Sequence, residues 1–484
     1  MVKACVSMPA TETSDAGDRR ALRRSRLVLF LMVLSFYLSA LNVTNTDSYL
    51  ALPTAVSILH SGDFSLDEFA SPKLQAHYGY IRLHGPAYDY FPWADALLLV
   101  PAVVLVDIAG QLGIGQGATA LVEANRMGPV QLATAGLTTA LAVLVVATVA
   151  YESLSGSRRT RRRASFVVGT IFALGTSAWS TTSRALWQHG PSMLAIAVAL
   201  LAAARLQRGH RPAVSATVLG AAVASAYAFR PTNALAVVGF SLFVAVSHRN
   251  RLPVFLSGLT AVLAAFVAVN VASFHRVLPP YFAPGRISLH PEYLTALAAN
   301  LVSPARGLLL FSPIVALSIV GFTLQLRNRS LRPLDVVAAG CVLAQLLVVS
   351  AQNEGWWSGH AFGPRFMTDV LPLLAYLALP AVGALLGGLR VPHPSRPARA
   401  AAGVVAGVAL LSIAVNAQGA YLRSSTCWNV VPVNIDRQPR RVWDFGNPQV
   451  LAGYRAITRE GLLAAAVGPC QGRDVTPVAP RVSS

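Results

Sequence analysis

The chain has 484 residues, 54% of them hydrophobic and only 12% charged, and its 39 Lys+Arg against 20 Asp+Glu give a formal charge of +19. Soluble domains run at roughly 45–50% apolar and about 25% charged, so a soluble enzyme, a disordered tail protein and a disulfide-stapled scaffold are all poorly matched. Whether the basic excess points to nucleic acid depends on where the charges sit.

Apolar runs free of charge recur at 27–43, 128–151, 165–180, 190–204, 213–229, 233–247, 254–273, 307–326, 336–351, 370–389 and 400–417. Most approach the roughly 17–25 residues that cross a hydrocarbon core of about 30 Å. They show no alternation of period two, which argues against a β-barrel and for helices, which satisfy their own backbone in lipid. The sequence therefore predicts an all-α polytopic membrane protein of about 11–13 transmembrane helices. A basic N-terminus (1–26) is followed by a membrane module (27–417) and a small tail (418–484). The run at 27–43 follows a basic stretch but has no A-x-A cleavage site, so it is read as the first membrane helix.

Arginine-rich segments at 19–26, 158–163, 205–211, 248–251, 327–332 and 390–399 fall between these runs. The positive-inside rule assigns all six, and with them the N-terminus, to the cytoplasm. That assignment removes the case for nucleic acid. It requires an odd number of crossings between 44 and 157, although WADALLLVPAVVLVDIAG (93–110) looks like a further helix. This segment is therefore expected to be re-entrant or to lie on the membrane surface, unless a short crossing hides near 112–127. The loop 44–127 then becomes a large extracytoplasmic loop with amphipathic interfacial helices, and the tail is extracytoplasmic. Of four cysteines, Cys5 is expected in the cytoplasm and Cys341 in a membrane helix. Cys427 and Cys470 share the external tail, where pairing is permitted, and a disulfide between them is predicted.

The external connections hold most of the unusual polar residues. Asp47 stands just beyond the first helix, placed either to cap an amphipathic stretch at 48–60 or to act as a general base at the membrane surface. In 78–99 the residues His84, Tyr88 and Tyr90 suit either substrate binding or an aromatic belt. SRALWQHGP pins Arg184 and His189, and AFRPTN pins Arg230, at the outer edge, where they snorkel or meet an anion such as a lipid phosphate. SPARGLLLFSPI supplies Arg306, and NEGWWSGHAFGPRFMTDVLP combines Trp356, Trp357, His360, Arg365 and Asp369. Tryptophan faces stack on sugar rings, and Arg365 before a helix suits bidentate phosphate binding; a packed external cap is the structural alternative.

Taken in order, TNTDSYL, FPWADALLLVP, LWQHGP, FRPTN, SPARGLLLFSP and WWSGHAFGPRF resemble the GT-C superfamily of polytopic glycosyltransferases, near the protein mannosyltransferase and aminoarabinose transferase group. The resemblance covers most of residues 27–450. It implies a polyprenyl-phosphate-linked sugar donor and a catalytic acid in the first external loop, hence Asp47. Mannosyltransferases of the group often carry an Asp-Glu pair where Asp47 is followed by Ser48, so Asp67 and Glu68 are the alternative catalytic or metal-binding pair. A Lys-Pro-Pro-like lead into the next segment is replaced by Phe91-Pro92-Trp93.

The implied reaction is an inverting hexosyl or pentosyl transfer to a cell-envelope glycan, lipid or protein. Asp47 deprotonates the acceptor, and Arg230, Arg306 or Arg365 offset charge on the departing lipid phosphate. No cofactor is required; a divalent metal is compatible with the carboxylates but nothing indicates one. The rival classes are a transporter or flippase for a lipid-linked glycan and a non-catalytic envelope scaffold. Transporters place polar groups at the midplane, whereas here they gather at the external rim.

Overall fold

The structure, a computed structural model, describes residues 10–44, 47–353 and 355–470. Cys5, the first part of the basic N-terminus and the end of the tail lie outside the described residues. Each of the eleven apolar runs is a helix. Seven are long and apolar enough to cross a membrane: Gly128–Ser153, His189–Gln207, Pro212–Phe229, Arg249–Phe274, Pro333–Ser350, Arg365–Leu389 and Arg396–Tyr421. Ala10–Ser39, Arg158–Leu174, Pro231–Ser247 and Pro313–Arg327 supply the rest; the first two carry arginines in the helix itself. The chain is thus an all-α polytopic membrane protein.

Packing between these helices relies on small residues, as it must where lipid is as apolar as leucine. A Cβ on Gly220 would stand 2.1 Å from the Phe255 carbonyl oxygen, and one on Gly258 would stand 2.2 Å from that of Thr217. The Pro212–Phe229 helix and the helix through Gly258 therefore touch backbone to backbone. The first helix is tied to the bundle by Tyr37, whose hydroxyl donates to Ala173 O at 3.0 Å.

The arginine-rich segments meet at one end of the bundle. Arg26 and Arg161 both lie over the Tyr151 ring, at 6.0 and 4.4 Å. Arg205 Nη2 and Arg208 Nη1 reach Glu152 at 2.6 and 3.3 Å, and Arg332 pairs with Asp335 beside Tyr376. Because Arg26 lies beside Tyr151 at the end of Gly128–Ser153 while Tyr37 and Leu38 lie against Gly136 near its start, these two helices run antiparallel, and the 44–127 segment begins and ends at the opposite end of the bundle.

That segment folds as a cap. Residues 93–110 break into Ala94–Leu97 and Val100–Gln111. Twelve residues rise about 18 Å, well short of a hydrocarbon core. Val100–Gln111 packs on Ala51–His60 through Val103, Leu99, Leu52 and Val56. Its other face leaves Leu105 68% and Ile108 48% exposed, the two-sided pattern of a helix lying in an interface. A two-stranded hairpin, β1 (Tyr80–Arg82) and β2 (Ala87–Asp89), pairs Tyr80 with Asp89. The tail packs back over the 353–363 loop and is closed by a Cys427–Cys470 disulfide, Cα–Cα 5.2 Å.

Candidate functional site

Asp47 does not cap the following helix. That helix starts at Ala51 after Leu50, with no side-chain cap. The end of the first helix is anchored instead by Asn42, whose backbone N–H donates to Ala420 O at 3.0 Å and whose side chain donates to Gly419 O at 2.8 Å. From there the Asp47 carboxylate turns inward, accepting a hydrogen bond from the Tyr78 hydroxyl and one from Arg365 Nη1 at 2.5 Å. The two ends of that ion pair keep side-chain exposures of 24% and 9%. Burial alone favours the neutral acid, but the Arg365 guanidinium and the Tyr78 hydroxyl outweigh it and hold the carboxyl below the usual carboxylate range.

Arg365 opens the 3₁₀ stretch Arg365–Val370 that leads into the Leu371–Leu389 helix. Its guanidinium lies 4.6 Å from the Trp187 ring centroid and 5.2 Å from that of Phe366. Behind it, Asp369 is fully buried and holds both His189 Nδ1, at 3.1 Å, and Arg230 Nη1. His189 and Arg230 are thus joined through one carboxylate, and His189 is among the charges acting on Asp47. Asp89 and Asp95 stand nearby. Burial pushes both well above the usual carboxylate range; Asp47 adds to this for Asp89, and Asp89 and Asp369 add to it for Asp95.

A third arginine closes the site. Arg286 lies 4.8 Å from the Tyr281 ring and 5.9 Å from the Tyr90 ring, within the electrostatic reach of Asp47. Gln188 Nε2 donates to the Tyr281 hydroxyl at 2.5 Å. The buried atoms Arg365 Nε, Trp187 Nε1 and Gln188 Oε1 have no hydrogen-bond partner among the described residues. Buried polar atoms are seldom left so, and these three, on Arg365, on the Trp187 ring under it and on the Gln188 that meets Tyr281, suit a polar ligand. Among the described residues, no group of three or more His, Cys, Asp or Glu side chains is arranged to hold a metal ion.

The other residues singled out in the sequence have partners of their own. The Asp67–Glu68 pair is consumed by its own loop. Asp67 accepts from Arg82 Nη1 at 3.1 Å and from the Ala87 backbone at 3.3 Å, bracing the hairpin. Glu68 accepts from Ser57 and Ser61 at 2.8 and 2.5 Å, tying down the end of Ala51–His60. Arg306 is fully buried, and all its guanidinium donors are used: Nε on Trp357 O, Nη1 on Ala305 O and Gln449, Nη2 on Gly359 O and Asn429 Oδ1. None remains for a phosphate. Trp356 is 2% exposed within a core with Trp428 and Ile435, and Trp357 Nε1 donates to Asp436 Oδ1 at 2.8 Å. His360 Nε2 faces Asn434 Oδ1 at 3.0 Å and Asp436 Oδ2 at 3.1 Å. These three side chains fasten the 355–363 loop to the tail, with Trp356 buried and Trp357 partly buried.

His84 is exposed at the hairpin tip with φ +54°, away from the cluster around Asp47. Tyr88 packs on Phe274 and donates to Ser273 O at 3.1 Å, while Tyr90 does reach the site through Arg286 and Tyr281. Arg184 is also structural, donating to the carbonyls of Ala40, at 2.9 Å, and Tyr37. Residues that sequence reasoning did not single out are Tyr78, Trp187, Gln188, Tyr281 and Arg286. The string YFAPGR (281–286) carried the one available signal, an aromatic and an arginine bracketing Pro and Gly in an external loop.

No protein-family model matches the chain, and no curated protein matches it. Among solved structures it is similar to ArnT from Cupriavidus metallidurans in the apo state, at 14% identity and a TM-score of 0.48, over 94% of this chain and 78% of that one. ArnT bound to undecaprenyl phosphate aligns at 15% identity and a TM-score of 0.46, over 93% and 78% of the two chains. The archaeal oligosaccharyltransferase AglB from Archaeoglobus fulgidus, in complex with an inhibitory peptide and a dolichol-phosphate, aligns at 12% identity and a TM-score of 0.48. There the match spans 88% of this chain and 60% of that one.

Proposed function

We propose that the chain is a membrane glycosyltransferase that moves a sugar from a polyprenyl-phosphate donor to an acceptor hydroxyl on the extracytoplasmic side, with Asp47 as general base. The observation that carries this reading is a carboxylate held in its charged form at the edge of the bundle, beside Arg365 and Arg286 and among buried polar atoms that lack partners. A base next to two cations suits displacement of an anionic leaving group by a hydroxyl. The acceptor oxygen attacks the sugar C1 from the face opposite the phosphate. The C1–O bond to the phosphate breaks with its electron pair going to that oxygen, Asp47 takes the acceptor proton, and the configuration at C1 inverts.

Arg286 replaces Arg306 among the groups proposed to offset charge on the phosphate, because among the described residues no carboxylate pairs with it directly. Arg365 serves both the base and the phosphate. Arg230 acts through Asp369 and so fixes the base of the site rather than touching donor. The charge layout orients the site: the arginine-rich end faces the cytoplasm and the Asp47 end faces outward.

The test is release of free polyprenyl phosphate from lipid-linked sugar by the full chain in vesicles. Asp47→Asn should lower turnover by about 10²–10⁴-fold, the usual worth of a positioned base. Asp67→Asn and Glu68→Gln should leave turnover per folded molecule nearly unchanged. Full transfer by Asp47→Asn would overturn the assignment, and equal losses from the Asp67 and Glu68 variants would return the role to that pair. In cells, deleting the protein and identifying the lipid-linked sugar that accumulates would name the donor.

A further inference from the structure

A groove of about 560 Å³ runs along the side of the bundle, walled by the Arg158–Leu174 and Leu371–Leu389 helices, from Arg159 and Arg390 at one end to Thr176 and Leu371 at the other. On the first wall Arg159, Arg163, Val167 and Ile171 recur every four residues and so form one stripe. Its first half is cationic and its second half apolar. On the second wall Leu374, Ala378, Val382 and Leu385 continue the apolar lining down to Arg390. Arg390 lies across Gly156, φ +117°, where an added Cβ would meet Nη1 at 2.5 Å. This brings Arg390 to the start of the helix that carries Arg159 and Arg163. All three arginines are exposed, and none pairs with a carboxylate among the described residues.

We propose that this groove binds an anionic phospholipid, its phosphate held by Arg159, Arg163 and Arg390 and one acyl chain lying along Val167, Ile171 and Ala378. Charge selects the occupant: three unpaired cations converge on one mouth, and apart from Thr160 and Thr176 the rest of the lining is apolar. Depth agrees with it, since Arg159 to Ile171 is about 18 Å along the helix, close to one leaflet of a core of roughly 30 Å. The mouth lies at the arginine-rich end, which the positive-inside rule assigns to the leaflet rich in anionic lipid. The site is independent of the proposed transfer reaction, whose donor phosphate belongs at the Asp47 end.

The test reconstitutes the full chain in phosphatidylcholine vesicles containing a minority of phosphatidylglycerol with a diazirine on its acyl chain. Illumination should concentrate cross-links on the stretches around Val167–Ile171 and Leu374–Val382. Removing the arginines singly as Arg159→Gln, Arg163→Gln and Arg390→Gln should lower that yield about fivefold each. Labelling on the other lipid-facing helices should not change. Ala378→Trp fills the groove without touching the arginines and should abolish the groove cross-links in a protein of normal melting temperature. The proposal is overturned if labelling is uniform over the apolar surface or if diazirine-labelled phosphatidylcholine marks the groove equally well. It is overturned as well if a polyprenyl phosphate displaces the label, or if Ala378→Trp leaves the groove labelling intact.

Discussion

Replacing Arg365 by Gln separates the two roles assigned to it. Asp47 then loses the cation 2.5 Å from Oδ2 but keeps the Tyr78 hydroxyl. Removing one partner of a buried pair costs about 3–5 kcal/mol, and with Asp47 24% exposed the low end, about 3 kcal/mol, is the expected loss of stability. Losing a donor aimed at transition-state charge costs about 10²–10³ in rate, and this loss remains after correction for the folded fraction. The pH profile supplies an independent reading. A carboxyl held below its usual range stays charged through neutral pH and gains its proton only as pH falls through that lowered value. Activity of the unaltered protein should therefore be flat near neutrality and fall only in strong acid. In Arg365→Gln burial is opposed only by Tyr78 and the weaker pull of His189, so the acid limb should move to higher pH. Arg365→Lys keeps the charge but not the stacking 4.6 Å from Trp187, so it should restore most of the limb and little of the rate. Polyprenyl phosphate release measured across acid and neutral pH reads the parent and both variants. An unmoved acid limb in Arg365→Gln, with a rate within about tenfold of the parent, would refute the coupling of Arg365 to Asp47.

Asp95→Asn should be tolerated, because burial already drives Asp95 toward the neutral acid and its Oδ1 has no partner to lose. Melting and turnover both close to the parent's would agree, whereas a loss as deep as that of Asp47→Asn would place Asp95 in the chemistry. Gly220→Leu should destabilise by about 1–3 kcal/mol or more, since the added carbon meets backbone at 2.1 Å and the two helices must separate; an unchanged melting temperature in detergent would contradict that contact. Cys427→Ser opens a loop of 43 residues, worth about 4 kcal/mol in chain entropy. Protease should then cut the tail in the folded protein, and a tail still resistant would deny the disulfide that role.

The parts of this molecule legible in the sequence are those decided locally. A span must be apolar over its own length, so the eleven helices announce themselves. An arginine between two spans must find water or headgroups, so the charge sorts the ends. Asp47 was visible for the same reason, as a carboxylate directly after the first span. For 93–110 parity left a re-entrant or membrane-surface helix, or a hidden crossing near 112–127; the segment folds as Ala94–Leu97 and Val100–Gln111, the latter too short to cross.

What the sequence conceals is decided by partners far along the chain. Arg306 and Arg365 look alike as lone arginines beside helices in an external loop. Arg306 meets Gln449 and Asn429, 143 and 123 positions away, and these together with three carbonyls use all its donors. Arg365 meets one carboxylate, 318 positions away, and keeps a buried Nε without a partner. The difference between a knot and a ligand-binding group is thus a count of acceptors delivered by the tail and the first loop. Trp356 and Trp357 obey the same rule. Their residue type fits sugar stacking, but the tail segment from Trp428 to Asp436 buries Trp356 and takes the Trp357 indole N–H. The tail, the least distinctive stretch by composition, is what moves the candidate site away from the tryptophans and onto Asp47, Arg365 and Arg286.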